Sequence, residues 1–227
     1  MSTNFWDETV LEYSKAKEGF YRSEKDIPRR KLCSGLDLAK LGSKTILDAG
    51  CGTGEDVHYF HKFGASVYGV DCSEKMISLA IKKLPKLKSQ FSVQDLEATN
   101  FQNNFFDIIY SRYAMHCSDN LERLFNEFSR ILKPKGMLLI LVAHPLLGFL
   151  SKKTKDYYKK EAYKLKIFDK KFSAISPSHN FSEYLNEKIL RKFELLDFYE
   201  SEETVQSREN KLPWVVPDFL ILKFRKR

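Results

Sequence analysis

A glycine-rich turn at Gly50-Cys51-Gly52-Thr53-Gly54 constrains this chain more than any other feature. A short apolar run, Thr45-Ile46-Leu47, leads into it. The following segment, Asp56 to Phe63, reads as a helix that Gly64 stops. A strand entering a helix through a tight glycine turn opens a βα unit, and open α/β sheets bind ligands at such strand ends. The glycines allow a sharp turn and let a ligand lie against the main chain. The spacing is GxGxG, with Asp48 two positions before the first glycine. A dinucleotide fingerprint, GxGxxG, requires a small residue at position 55, where this chain has Glu55. That argues against a pyrophosphate-bearing cofactor.

Strand and helix patterns alternate through the first 150 residues. Ser66 to Val70 reads as a second strand ending at Asp71. Ser73 caps a helix running to Leu84, with Met76, Ile77 and Ala80 on its apolar face and Pro85 at its end. Phe91 to Val93 is a third strand, ending near Asp95, and Phe106 to Tyr110 a fourth. Asn120 to Leu132 is an amphipathic helix, and Pro134-Lys135-Gly136 turns into a fifth strand, Met137 to Val142. Continuous apolar strands separated by helices imply a parallel sheet covered on both faces. Beyond residue 143 the pattern changes. Residues 151–171, rich in Lys and Tyr, read as helical, as does Phe181 to Leu190. Phe193 to Tyr199 and Phe219 to Phe224 read as two final strands. A length of 227 residues suits a single domain, and neither a repeat nor a linker divides the chain.

Asp71 lies 21 residues after Gly50, at a strand end where a carboxylate accepts hydrogen bonds from both hydroxyls of a ribose. Asp95 is placed to accept from an exocyclic adenine amine. Taken singly, each Asp also suits a helix cap. Three acids and three glycines at successive strand ends are harder to explain by capping alone.

The blocks ILDAGCGTGE (46–55), VYGVDCSEKMI (67–77), QDLEA (94–98), FDIIYSRYAMH (106–116) and LKPKGMLLI (132–140) resemble class I S-adenosylmethionine-dependent methyltransferases. The likeness is strong over residues 40–145. Within the class it is similar to the small-molecule branch that includes the ubiquinone/menaquinone C-methyltransferase-like enzymes. The resemblance implies an α/β, Rossmann-like, doubly wound fold: a seven-stranded, mostly parallel sheet whose last strand is antiparallel. It implies S-adenosyl-L-methionine as cofactor. Asp48, Gly50, Cys51, Gly52 and Gly54 would line its methionine end. Asp71, with Cys72 beside it, would hold the ribose. Met76 would pack on the adenine, and Asp95 with the Leu96 backbone would read the adenine edge. Ser111, in the turn Ser111-Arg112-Tyr113, would pass the sulfonium side. A helical N-terminal lid over residues 1–40 would bring Tyr13, Tyr21 and Arg22 toward the cofactor's carboxylate, and a substrate cap would occupy residues 143–190.

Methyl transfer is an in-line displacement, so the protein chiefly aligns the nucleophile and excludes water. A general base is needed only if the nucleophile keeps its proton at neutral pH. His144, directly after the fifth strand, is the first candidate for a base or substrate anchor. His116 is a weaker one, with a structural role favoured. His58 and His61 share a helix face without a zinc set around them. The Asn/Asp-Pro-Pro-aromatic motif of amino-group nucleic-acid methyltransferases is absent after strand four. No Asp-Asn pair follows strand five, so no catalytic metal is expected.

The formal charge of +8 is local rather than global. Nine lysines fall in residues 151–171, against Asp156, Glu161 and Asp169, whereas the rest of the chain is nearly balanced. Such a segment suits a solvated surface, an anionic small substrate, or RNA phosphates. Lysines without arginines are point charges that read phosphate poorly. No apolar run reaches membrane-spanning length, the N-terminal MSTNFWDETV is unlike a signal peptide, and the four cysteines lack metal-ligand spacing. The expectation is a cytoplasmic small-molecule methyltransferase, monomeric or homodimeric. The alternatives are an RNA-modifying enzyme and a cofactor-binding sensor without catalysis.

Overall fold

The computed structural model describes residues 3–17, 26–168 and 171–227. Its centre is a seven-stranded sheet. Five strands come first: β1 (Thr45–Ala49), β2 (Ser66–Asp71), β3 (Phe91–Val93), β4 (Phe106–Arg112) and β5 (Leu132–Ala143). The spatial order is β3-β2-β1-β4-β5, all parallel. The two strands of the C-terminal part, β8 (Phe193–Glu200) and β9 (Phe219–Lys226), complete it; β9 inserts between β5 and β8 and runs antiparallel to both. The expected mostly parallel sheet with an antiparallel last strand is therefore present.

The strands read as continuous apolar runs because alternate side chains enter two different cores. Ile46, Leu139 and Leu141 pack on one face, with Val57 and Phe60 of α3 (Glu55–His61) and Ile77 and Ala80 of α4 (Glu74–Lys83). Leu47, Leu138 and Ile140 pack on the other, against Leu124, Phe125 and Phe128 of α5 (Leu121–Ile131). Side-chain caps fix the helix starts: Ser73 Oγ accepts from Met76 N at 3.0 Å, and Asn120 Oδ1 from Arg123 N at 3.1 Å.

Beyond Ser151, the described residues of the 151–171 segment are not helical. After α6 (Pro145–Ser151) the chain is irregular to residue 161. It then forms an antiparallel hairpin of β6 (Ala162–Ile167) and β7 (Phe172–Pro177). The alternation of Tyr163 and Leu165, buried, with Lys164 and Lys166, exposed, is a strand period of two, which the lysine density obscured. The expected helix from Phe181 to Leu190 is two short ones, α7 (Phe181–Tyr184) and α8 (Glu187–Lys192), each opened by an asparagine cap at Asn180 and Asn186. A short helix α9 (Val205–Glu209) precedes β9.

Near the N-terminus, α1 (Thr3–Lys17) and α2 (Ile27–Leu32) pack on the sheet's carboxyl-end side. Asp7 Oδ1 accepts from Ser73 Oγ at 2.5 Å and Lys75 N at 3.1 Å, which fastens α1 to the start of α4. Lys17 Nζ reaches Glu55 Oε2 at 2.8 Å. Tyr13 and Trp6 of α1 meet Phe172 of the hairpin, at ring separations of 5.4 and 6.4 Å. Among the described residues, no helix is long and apolar enough to cross a membrane.

Candidate active site

The strand order reverses between β1 and β4, and two adjoining cavities open there at the carboxyl ends of the strands. The first, about 470 Å³, is bounded by Gly50 and Gly52 of the turn after β1, by Asp71 and Cys72 after β2, and by Asp95 and Leu96 after β3. Met76 of α4 and Tyr13 of α1 also line it.

The glycines of the turn differ in what they do. Gly50 has φ 81°, and a Cβ there would lie 2.1 Å from Cβ of Ala114, so the turns after β1 and β4 approach too closely for any side chain. Gly52, at φ 51°, faces open space, so a ligand has room against its backbone. Gly54 caps α3 and packs toward Phe91, Leu84 and Ala80 rather than lining the cavity.

The acids are equally distinct. Asp71 Oδ2 accepts from Gly52 N at 2.9 Å and Oδ1 from Ser73 N at 3.0 Å. Each carboxylate oxygen keeps a lone pair for a ribose hydroxyl. Burial raises the Asp71 carboxyl above its ordinary range, while the amides of Ser73, Gly52 and Cys72 oppose it. Asp48 on β1 is buried with Oδ2 unpartnered, and burial, then Asp56, drive its carboxyl well upward. Asp48 lines neither cavity, but a cationic ammonium at the methionine end of S-adenosylmethionine is the kind of partner its orphaned oxygen lacks. The residues present therefore fit that cofactor.

Other expected residues fall elsewhere. Cys51 is buried behind the turn, its Sγ facing Gly52 O at 3.7 Å. Ser111 lies within β4, buried, with Oγ unpartnered and lining neither cavity. Tyr21 and Arg22 lie outside the described residues. No group of residues able to hold a metal is present among the described residues.

The second cavity, about 420 Å³, shares Trp6, Tyr13, Tyr113 and Cys117 with the first. Tyr113 sits at φ 55°, an unusual backbone for an aromatic residue, with its N–H donated to Leu141 O at 2.8 Å. The hairpin contributes Tyr163, Leu165 and Ile175, and the segment before β9 contributes Glu203, Gln206 and Asp218.

The structure places the two histidines differently with respect to the cavities. His144 lines neither cavity. It is buried, its Nδ1 accepts from Leu146 N at 3.3 Å to cap α6, and its Nε2 donates to Glu200 at 2.8 Å. His116 lines the second cavity, and its Nδ1 is unpartnered. Burial, and secondarily the charge on His179, pushes His116 down to about 3 from its ordinary 6.5. The unfolded chain thus takes up this proton first as pH falls. Stability from neutral His116 is complete above about pH 6.5 and is lost as pH drops toward 3. Thermal midpoints recorded from pH 7 to pH 4 are expected to fall more steeply in wild type than in His116→Gln; equal slopes would refute it.

Sequence reasoning undervalued Arg112. It lines the first cavity and sits in a buried ion network: Nε reaches Asp56 at 2.7 Å, Nη1 reaches Asp26 at 3.0 Å, and Arg29 meets Asp56 at 3.3 Å. The network ties α2 to β4 and α3. Arg112 is the last residue of β4, a strand-end position that carried the signal. Glu203 and Gln206 carried none, because their loop matches no motif.

Residues 47–140 match the methyltransferase domain family. The match covers less than half of the chain.

Its relatives include phosphoethanolamine N-methyltransferase 2 of Caenorhabditis elegans, 33% identical over 54% of this chain and 29% of that protein. Phosphoethanolamine N-methyltransferase 1 of Triticum aestivum is 31% identical over 69% of this chain and 32% of that protein. The chain thus spans about a third or less of these relatives' length. The fold matches a TehB-like S-adenosylmethionine-dependent methyltransferase from Corynebacterium glutamicum, with TM-score 0.64 and 22% identity over 97% of this chain and 99% of that one.

Proposed function

We propose that the whole chain transfers a methyl group from S-adenosylmethionine to a small molecule held in the second cavity. The observation that carries this reading is the pair of adjoining cavities, one lined by the glycine turn and strand-end acids, the other closed by aromatic and apolar side chains. The cofactor supplies a methyl group on a positively charged sulfur, activated for displacement. Asp71 holds the ribose, Asp95 and Leu96 face the adenine edge, and Asp48 answers the methionine ammonium. Trp6, Tyr13, Tyr113 and Cys117, common to both cavities, line the passage between donor and acceptor and keep water out of it. His116 lines the acceptor cavity, its Nδ1 buried without a partner. His144 is a positioning residue for α6.

The likeness to phosphoethanolamine N-methyltransferases favours an amine nitrogen over the carbon acceptors of the ubiquinone/menaquinone branch. The lysines of the hairpin region do not argue for an anionic ligand. Lys164 and Lys166 face outward, and Lys152 is turned onto the carbonyls of Lys159, at 2.8 Å, and Tyr157, at 3.4 Å. The free cysteines support a cytoplasmic setting.

Titration of S-adenosylhomocysteine is expected to give saturable binding, weakened at least about tenfold by Asp71→Ala through loss of the ribose hydrogen bonds. Incubation with methyl-labelled cofactor and metabolite extract should move label into small molecules. No binding by wild type, or label that never leaves the cofactor, would overturn the reading.

A further inference from the structure

The donors of the second cavity among the described residues are neutral: the Trp6 indole, the hydroxyls of Tyr13, Tyr113, Tyr163 and Ser176, and the Gln206 amide. No lysine or arginine lines it among the described residues. Its charged side chains are Asp26, Glu203 and Asp218. Two of these are already engaged: Asp26 is paired with Arg112 and Arg29, and Asp218 accepts from Val205 N at 3.0 Å and Gln206 N at 2.8 Å. Glu203 has no side-chain partner among the described residues, and burial raises its carboxyl above the ordinary range. Gln206 Oε1 is buried without a donor, as is His116 Nδ1. The remaining surface is mainly aromatic and aliphatic, with Trp6, Tyr163, Phe168 and Phe219 among its walls.

A phosphate demands convergent donors, preferably guanidinium or ammonium groups. Here the amides at the start of α9 are consumed by Asp218, and the lysines lie elsewhere. An ammonium group presents the opposite requirement: N–H donors and positive charge, met by a lone carboxylate, an orphaned amide oxygen and aromatic faces.

We infer that the second cavity selects an apolar, non-phosphorylated amine, with Glu203 and Gln206 receiving its nitrogen-bearing end and the aromatic walls its hydrocarbon part. The inference rests on the methyltransferase reading and narrows its substrate class. It separates this chain from relatives named for phosphoethanolamine. The amine binds as the ammonium and gives one proton to solvent before the transfer. Its nitrogen lone pair forms the new N–C bond while the S–C bond breaks toward sulfur. The positive charge passes from sulfonium to methylammonium, so charge balances without another reactant. Glu203 then faces the same charge in the product as in the bound ammonium.

The test compares phosphoethanolamine, ethanolamine, phenethylamine and octylamine as acceptors of labelled methyl from the wild-type chain. S-adenosylhomocysteine titration is run in parallel. The expected result is kcat/KM for an apolar amine at least about tenfold above that for phosphoethanolamine, and a loss of about tenfold in Glu203→Gln with S-adenosylhomocysteine affinity unchanged. Preference for phosphoethanolamine, no transfer to either apolar amine, or an unaltered kcat/KM in Glu203→Gln would overturn the inference. Retained S-adenosylhomocysteine binding with label entering other acceptors from extract would leave the methyltransferase reading intact. Loss of both would remove that reading as well.

Discussion

Gly50→Ala is expected to abolish cofactor binding and to lower the thermal midpoint by about 4–20 °C. The added methyl would stand 2.1 Å from Cβ of Ala114, and the residue would still have to hold φ 81°. A left-handed conformation costs a non-glycine residue about 1–2 kcal/mol, and overpacking costs about 1–3 kcal/mol more. Both chain segments are fixed by the strands they leave, β1 and β4, so neither retreats freely. The overlap is relieved only by displacing the turn that lines the first cavity. Gly52→Ala provides the contrast: it meets nothing within 4 Å, so its fold should hold better while the new methyl occupies ligand space. Calorimetric titration of S-adenosylhomocysteine and thermal melts of both variants decide the matter. A Gly50→Ala protein that binds like wild type would show that the turn is not held by Ala114.

Arg112→Met is expected to destabilise the fold by about 3–5 kcal/mol, the usual cost of leaving buried charges uncompensated. The carboxylates of Asp26 and Asp56 are 2% and 9% exposed, and Arg112 is the cation reaching both most closely, at 3.0 and 2.7 Å. Removing one carboxylate together with the arginine should recover most of the loss, because Arg29 then matches the remaining carboxylate and no charge is left over. Urea unfolding of Arg112→Met and of the double variant Asp56→Asn, Arg112→Met measures this. A single variant within about 1 kcal/mol of wild type would mean that the network is solvated enough to be dispensable.

What was legible in the sequence was local and repetitive. The strand-turn-helix unit at 45–63, the acids at strand ends and the two late strands each follow from periodicity or from glycine and proline positions. The hairpin of β6 and β7 was misread because charge was allowed to outweigh alternation. Lys164 and Lys166 sit where a strand's outer face belongs, between Tyr163 and Leu165. The histidines show a different limit. His144 occupies the chain position where a catalytic residue is expected, yet its proline-started helix draws the ring into a cap, and Glu200, 56 residues away, completes its bonding. His116 is followed by a chain reversal that turns it toward the hairpin, whose Ser176 binds its carbonyl at 3.0 Å. Such pairings depend on segments distant in sequence, and no local pattern announces them. The same holds for Glu203 and Gln206, which face the second cavity because β9 returns through the sheet.

That return path orders the assembly of the molecule. The strand that comes last lies inside the sheet, and β8 has no hydrogen-bonding neighbour until β9 arrives. During synthesis, residues 45–143 are complete long before this happens, and the apolar edge from Leu138 to Val142 waits unpaired. An exposed edge of that kind is a template for pairing with another chain. The closing of the sheet by β9 therefore does more than add a strand. It retires the long apolar edge of β5, on which two unfinished copies could meet, and it joins the wall carrying Glu203 to the half carrying the glycine turn in a single late step.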